Sequence, residues 1–208
     1  MIAIIDYGMG NIHSVQKALE SFGQETSVIS SPKKLKDGDK IVLPGVGAFD
    51  DAILELKKKG FDTFLKQELN SKRTLLGICL GMQLLFERSQ EARQEKGLGL
   101  FAGEVRRFDP RQVKKIPHIG WNQLKITKPS TRESDCPLLR GLAADPCVYF
   151  CHSYYVAPAD KKTIEATCEY GFEFAAVVSK DNLYGVQFHP EKSQEEGLAI
   201  LKNFVELC

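Results

Sequence analysis

Residues 74–91 read TLLGICLGMQLLFERSQE. The stretch TLLGICLG is a nearly continuous apolar run, as in a strand buried on both faces. MQLLFERSQE after it predicts a helix over 82–91. Between them stands Gly77-Ile78-Cys79-Leu80-Gly81, one nucleophilic side chain with glycines two before and two after. This is the pattern of a strand–turn–helix elbow, G-x-nucleophile-x-G. The turn is strained, and its side chain is expected to be exposed at the sheet edge. Cys79 gains from a helix N-terminus, where backbone N–H groups and the helix dipole favour thiolate, the reactive form. The plain alternative is a cysteine packed in a core strand.

Working outward, the first half alternates strand and helix. IAIID (2–6) predicts a strand, 12–22 a helix with Ile12, Val15, Ala18, Leu19 and Phe22 at helical spacing, and TSVIS a second strand. Asn11 stands where it could cap that helix, and Gly23 stops it. KIVLPGVGAF follows as strand plus turn, then helices over 51–58 and 61–69, broken at Gly60. The alternation argues a parallel sheet with helices on both faces. The second half offers EVRRF, WNQLKI, CVYFCHSYYV, TIEATCEY, FAAVVSK and LYGVQF, strands with short turns between them. They predict antiparallel additions to the sheet. SQEEGLAILKNFVEL closes the chain as a helix, with Leu198, Leu201 and Val205 in one stripe. The expected class is α/β: a mixed, mainly parallel sheet flanked by helices, in one domain over 1–208.

Composition bounds the function. The chain has 208 residues, 43% hydrophobic and 26% charged, with a net charge of +1. That balance suggests neither nucleic acid nor a membrane surface as partner. No apolar run approaches the ~18 residues of a membrane span. The start, MIAIIDYGMG, has no basic region or small-residue cleavage site and reads as a first strand, so a cytoplasmic protein is expected. Six cysteines are too sparse for a disulfide scaffold. Cys147, Cys151, His152 and Cys168 lack the paired spacing of a zinc site, so no metal is expected. Apart from Cys79, the cysteines read as small buried hydrophobes.

A thiolate nucleophile needs a base, and the base needs a group that orients it. Gln187-Phe188-His189-Pro190-Glu191 offers both, after the apolar strand LYGV. His189 and Glu191 are two apart, so on a strand end they point the same way. The alternative is a surface His-Pro turn with a solvated glutamate. LPGVGAF (43–49) runs a strand into a glycine-rich turn that can aim N–H groups at an oxyanion. It lacks the G-x-x-x-x-G-K-[ST] pattern of a phosphate loop. YGMGN (7–11) lacks the third glycine of a dinucleotide-binding turn, since position 13 is histidine.

Together PGVG, GICLGMQ and QFHPE resemble the class I (triad) glutamine amidotransferase family. DYGMGN, LGICLGMQLLFE, KIPHIGWNQL, YFCHSYY and QFHPEKS carry the resemblance from Asp6 to the last helix. They narrow it to the glutaminase subunits that serve a (β/α)₈-barrel cyclase in histidine biosynthesis. The relatives that make anthranilate or GMP tend to read HPES and lack PHxGW. The resemblance implies a flavodoxin-like sandwich and no cofactor. It implies Cys79 as nucleophile, His189 as base and Glu191 as its orienting acid. The oxyanion would meet the Leu80 N–H and, after a peptide flip in the Gly45–Gly47 turn, the N–H of Val46. Gly47, Gln83, Glu91, Ser153 and Tyr154 would grip glutamine, with Glu91 at the substrate ammonium. Asn11, Trp121, Tyr149 and Lys192 would meet the barrel cyclase in a heterodimer, through which ammonia passes. Trp121 is the only tryptophan, and plain core packing is its alternative. Three other readings stay open: a paralogous subunit feeding a surface-sugar pathway, a stand-alone Cys-His hydrolase, and a non-catalytic subunit. Gln83, PHIGWN and Lys192 argue against the hydrolase.

Overall fold

The computed structural model describes residues 1–68, 73–127 and 136–208. The predicted helix over 61–69 therefore ends outside the described residues. Among the described residues the strands are β1 (Ile2–Ile5), β2 (Thr26–Ile29), β3 (Lys40–Gly45), β4 (Leu75–Cys79), β5 (Phe86–Ser89) and β6 (Phe101–Arg107). They continue as β7 (His118–Ile126), β8 (Cys147–His152), β9 (Tyr154–Pro158), β10 (Ile164–Glu169), β11 (Glu173–Lys180) and β12 (Leu183–Val186). The helices are α1 (Ile12–Glu20), α2 (Phe49–Lys58), α3 (Phe61–Glu68), α4 (Leu80–Leu84) and α5 (Gln194–Leu207).

The strands join in the order β2-β1-β3-β4-β12-β11-β10-β7-β8, with β9 on β11 and β6, and β5 on β6. Strands β2 to β12 of that path pair in parallel. From β11 onward along the path the pairing is antiparallel. The expected change from parallel to antiparallel between the two halves is present. Neighbours out of sequence order include β12, near the chain end, which returns to the centre beside β4, and β7, which pairs with β10.

Strand alternation sorts the core into two layers. Ile2 and Ile4 face Val15, Leu19, Ile200, Leu201 and Phe204 of α1 and α5. Ala3 and Ile5 face Phe49, Ile53, Leu56 and Leu65 of α2 and α3. On α5 the buried stripe centres on Ile200, Leu201 and Phe204, with Leu198 and Val205 partly buried at its margin.

Three local expectations change. The helix predicted over 82–91 stops at Leu84, and Phe86–Ser89 is strand. A continuing helix would need the Leu84 and Leu85 carbonyls to accept N–H groups four residues on. Instead Leu84 accepts from Leu98 at 2.8 Å, and Leu85 from Leu100 at 2.8 Å. Phe86 then stacks on Phe101, ring centroids 5.4 Å apart, and Arg88 bonds Glu104. Tertiary pairing outweighs helix propensity here. CVYFCHSYYV is two strands, parted at Ser153, because β8 pairs with β7 while β9 pairs with β6 and β11. Asn11 occupies the cap position of α1, but its side chain makes no capping hydrogen bond.

Candidate active site

The carboxyl ends of β1, β3, β4 and β12, neighbours in the sheet, carry YGMGN, the PGVG turn, GICLG and QFHPE in turn. The crevice at the carboxyl ends of parallel strands is where open α/β sheets hold ligands.

Cys79 ends β4 and precedes α4 with φ 54° and ψ −111°. Residues with a side chain rarely adopt such a positive φ. The flanking glycines are required by contact. A Cβ at Gly77 would lie 2.8 Å from the Met82 backbone, and one at Gly81 would run into the Leu43 carbonyl oxygen. The elbow is thus wedged against β3, and Cys79 is buried, not exposed as the motif suggested. Leu80 opens α4, so its N–H has no acceptor within the helix.

Val186 of β12 pairs with Ile78 of β4. That register brings residues 187–189 beside Cys79. The His189 N–H donates to the Tyr149 carbonyl at 2.9 Å. Its own carbonyl accepts from Ser193 Oγ at 2.6 Å, and that hydroxyl accepts from the Tyr149 N–H at 2.9 Å. The His189 backbone is therefore clamped to β8. Its Nδ1 lies 2.9 Å from Glu191 Oε1. A carboxylate only accepts, so Nδ1 carries the proton and Nε2 faces the hydrogen bond with Cys79. Strand pleating does not put His189 and Glu191 on one side, as the sequence suggested. The strand has ended, and a 3₁₀ turn over Pro190–Lys192 swings the acid back. Burial lowers the proton affinity of His189, but hydrogen bonds to Cys79 and Glu191 and their charges outweigh it. The result is a raised pKa, which favours the protonated imidazole.

The Val46 N–H donates to the Met9 carbonyl at 3.4 Å. In this state that N–H is directed to the YGMGN loop and not to the space above Cys79. Gly47 beside it has φ +102°, and a Cβ there would press on Met9. An oxyanion pocket of Val46 and Leu80 amides thus requires rotation of the Gly45–Val46 peptide.

A cavity of about 370 Å³ opens above the sulfur. Its walls include Val46, Gly47, Leu80, Gln83, Glu91, Ser153, Tyr154 and His189, so all the residues expected to grip glutamine line one space. Glu91 accepts the Phe49 N–H at the start of α2 at 3.0 Å. Burial raises its pKa, with Asp50 and Asp51 adding to the rise. The negative potential there suits an ammonium group. Gln83 is less free than expected. Its amide nitrogen donates to the Tyr154 carbonyl and to Gln187 Oε1, both at 3.1 Å, which leaves its oxygen for a ligand.

Trp121 is 48% exposed, which removes plain core packing as its reading. It sits opposite Tyr149 on the β7–β8 pair, ring centroids 6.1 Å apart. Lys192 Nζ lies 5.9 Å from the Tyr149 ring. Trp121, Tyr149 and Lys192 thus share one surface, continuous with the cavity through Lys192. Cys147 and Cys151 are exposed on that side of β8, not buried as expected, because they alternate with inward Val148, Phe150 and His152.

Four residues at the site escaped sequence reasoning. Pro117, Cys151 and His152 line the cavity. Gln187, fully buried, places its amide nitrogen 3.7 Å from Cys79 Sγ. It stands in QFHPE, but β12 ends at Val186, so strand alternation gives no signal for it.

The family described as Glutamine amidotransferase class-I matches residues 3–208. The chain is 49% identical over 207 residues to "Imidazole glycerol phosphate synthase subunit HisH" of Caldanaerobacter subterraneus subsp. tengcongensis, covering 100% of this chain and 98% of that one. Identity to the protein of the same name from Syntrophotalea carbinolica is 47% over 212 residues, with 100% of both chains covered. A solved structure titled "Crystal structure of glutamine amidotransferase" has a TM-score of 0.76 at 17% identity, covering 100% of this chain and 98% of that one. The "Structure of PurLQS from Thermotoga maritima" gives 0.76 at 19%, covering 98% and 96%.

Proposed function

The chain belongs to the class-I glutamine amidotransferases, and from that premise we propose that it is the glutaminase subunit of imidazole glycerol phosphate synthase. The observation that carries the reading is that the pairing of β4 with β12 brings Cys79 and His189 to one cavity, with Glu191 bonded to His189 from behind.

Glutamine enters with its ammonium toward Glu91 and its side-chain amide carbon over the sulfur. The Cys79 thiolate attacks that carbon. The tetrahedral oxyanion is held by the Leu80 N–H and, once its peptide has turned, the Val46 N–H. The imidazolium of His189 gives its Nε2 proton to the leaving ammonia, and the carbon–nitrogen bond breaks. A γ-glutamyl thioester remains. His189, now neutral, takes a proton from water, which attacks the thioester, and the thiolate departs with the bonding electron pair. Glu191 keeps the ring in the working tautomer throughout.

Free ammonia in water would be protonated and lost as a nucleophile. A barrel cyclase docked on the Trp121–Tyr149–Lys192 surface would receive it directly and turn its nucleotide substrate into imidazole glycerol phosphate and AICAR. Asn11 lies two residues from Met9, whose carbonyl occupies the Val46 N–H. Docking at Asn11 therefore bears on the bond that keeps the oxyanion pocket unformed. Idle enzyme would then waste little glutamine. The setting of such a biosynthetic enzyme is the cytoplasm; no described helix is long and apolar enough to cross a membrane. A glutamine-like affinity label, applied with the partner present, should modify Cys79 and leave Cys147 and Cys151 untouched. An unlabelled Cys79 would remove the catalytic assignment.

A further inference from the structure

Between the cavity wall and the sulfur runs a chain of hydrogen bonds that the triad does not use. Gln187 Nε2 lies 3.7 Å from Cys79 Sγ. Gln187 Oε1 accepts from Gln83 Nε2 at 3.1 Å. The same Gln83 nitrogen donates to the Tyr154 carbonyl at 3.1 Å. A backbone carbonyl can only accept. It therefore fixes which end of the Gln83 amide faces Tyr154. That in turn presents N–H to Gln187, whose oxygen must face Gln83 and whose nitrogen must face sulfur. No amide in the chain can turn over without opposing two acceptors. His152 Nδ1, 2.7 Å from the same Tyr154 carbonyl, supports its far end.

We propose that Gln187 is a further catalytic residue, a fixed N–H donor to the Cys79 sulfur, and that Gln83 is its positioning residue. The inference rests on the reading of Cys79 as the nucleophile. Gln187 has no solvent-exposed surface, so water does not compete for the bond. A donor bonds an anion about twice as strongly as a neutral acceptor. Gln187 thus favours thiolate over thiol, and it does so without a proton of its own to lose. His189 must change protonation state within each cycle; Gln187 does not. The difference matters when the thioester is hydrolysed. Water adds to the acyl carbon, its proton passes to His189, the carbon–sulfur bond breaks and the electron pair returns to Sγ. Gln187 then meets the sulfur as an anion again. The other titratable groups facing Cys79 are His189 and the buried Tyr7 hydroxyl, whose pKa is raised by burial and then by the Cys79 charge.

Gln187→Met keeps chain length and bulk and removes the donor. Alkylation of Cys79 by iodoacetamide, read by peptide mapping, should slow about tenfold near pH ~7 and regain the wild-type rate near pH ~10. In the assembled enzyme kcat for glutamate release should fall about tenfold, with KM for glutamine unchanged within about twofold. A Gln187→Met protein that melts like wild type and alkylates with the wild-type pH profile overturns the proposal. If that variant does not fold, the wild type decides. In nitrogen-labelled protein the Gln187 side-chain amide resonances should move when Cys79 is alkylated, and unmoved resonances overturn the proposal equally. Absence of glutamate release by the assembled wild type would count against the functional reading instead. The alkylation profile and the amide resonances would still decide the role of Gln187.

Discussion

Gly81 shows how narrowly the reactive centre is held. It rests on the Leu43 carbonyl, where a methyl group would collide with backbone and not with a yielding side chain. The collision would push α4 away from β3 and carry the Leu80 N–H with it. Gly81→Ala should lower stability by about 3 kcal/mol or more, as overpacking against fixed atoms does. Thermal melts and glutamate release measured on one preparation should fall together; an alanine variant with wild-type melting would contradict the wedge. Cys79 itself pays for the turn with a positive φ. Strain of this kind persists only where surroundings over-determine it, and Gly77 and Gly81 are those surroundings.

At the scale of elements, β5 is the segment where local preference and tertiary pairing disagree. If the stack of Phe86 on Phe101 and the carbonyls held by the 97–101 segment set this strand, Phe86→Ala should destabilise the protein by about 3–5 kcal/mol. Denaturant unfolding measures it, and a loss under ~1 kcal/mol would mean that the backbone bonds alone suffice. The same contrast explains what the sequence made legible. β1, β3 and β4 carry their own signal, because strands buried on both faces must be apolar throughout. The elbow carries its own signal as well, since only glycine fits at 77 and 81. β5 does not, because its cause is the loop at 97–101, distant in sequence. The division of β8 from β9 at Ser153 is equally silent, since it reflects which neighbour each half meets. Cys79, His189 and Glu191 stand in motifs, whereas Pro117, Cys151 and His152 on the cavity wall carry no such signal. The bond from Val46 to Met9 and the chain from Tyr154 to Gln187 carry none either, since each joins separate motifs.

Across the whole molecule, the late return of β12 to the sheet centre makes the site a product of complete folding: Cys79 and His189 meet only when the last strand is placed. A buried histidine pair adds a pH limit. Burial lowers the pKa of His118 to about 4 and that of His152 to about 3. The unfolded chain protonates both near pH ~6.5. Below that value the unfolded state holds more protons, so stability is full above it and falls as pH drops toward 4. Chemical denaturation between about pH 7 and about pH 4 should show the decline, and His118→Phe should make it shallower. A pH-independent stability across that window would contradict the buried neutral pair. The proposed function makes ammonia release depend on a docked partner, with Trp121 in the docking surface. Glutamate release from glutamine should be measured for the chain alone, then with the barrel cyclase and its nucleotide ligand. Release should be near zero alone, rise roughly 100-fold or more in the complete mixture, and lose that rise in Trp121→Ala. Full activity of the isolated chain would contradict that dependence.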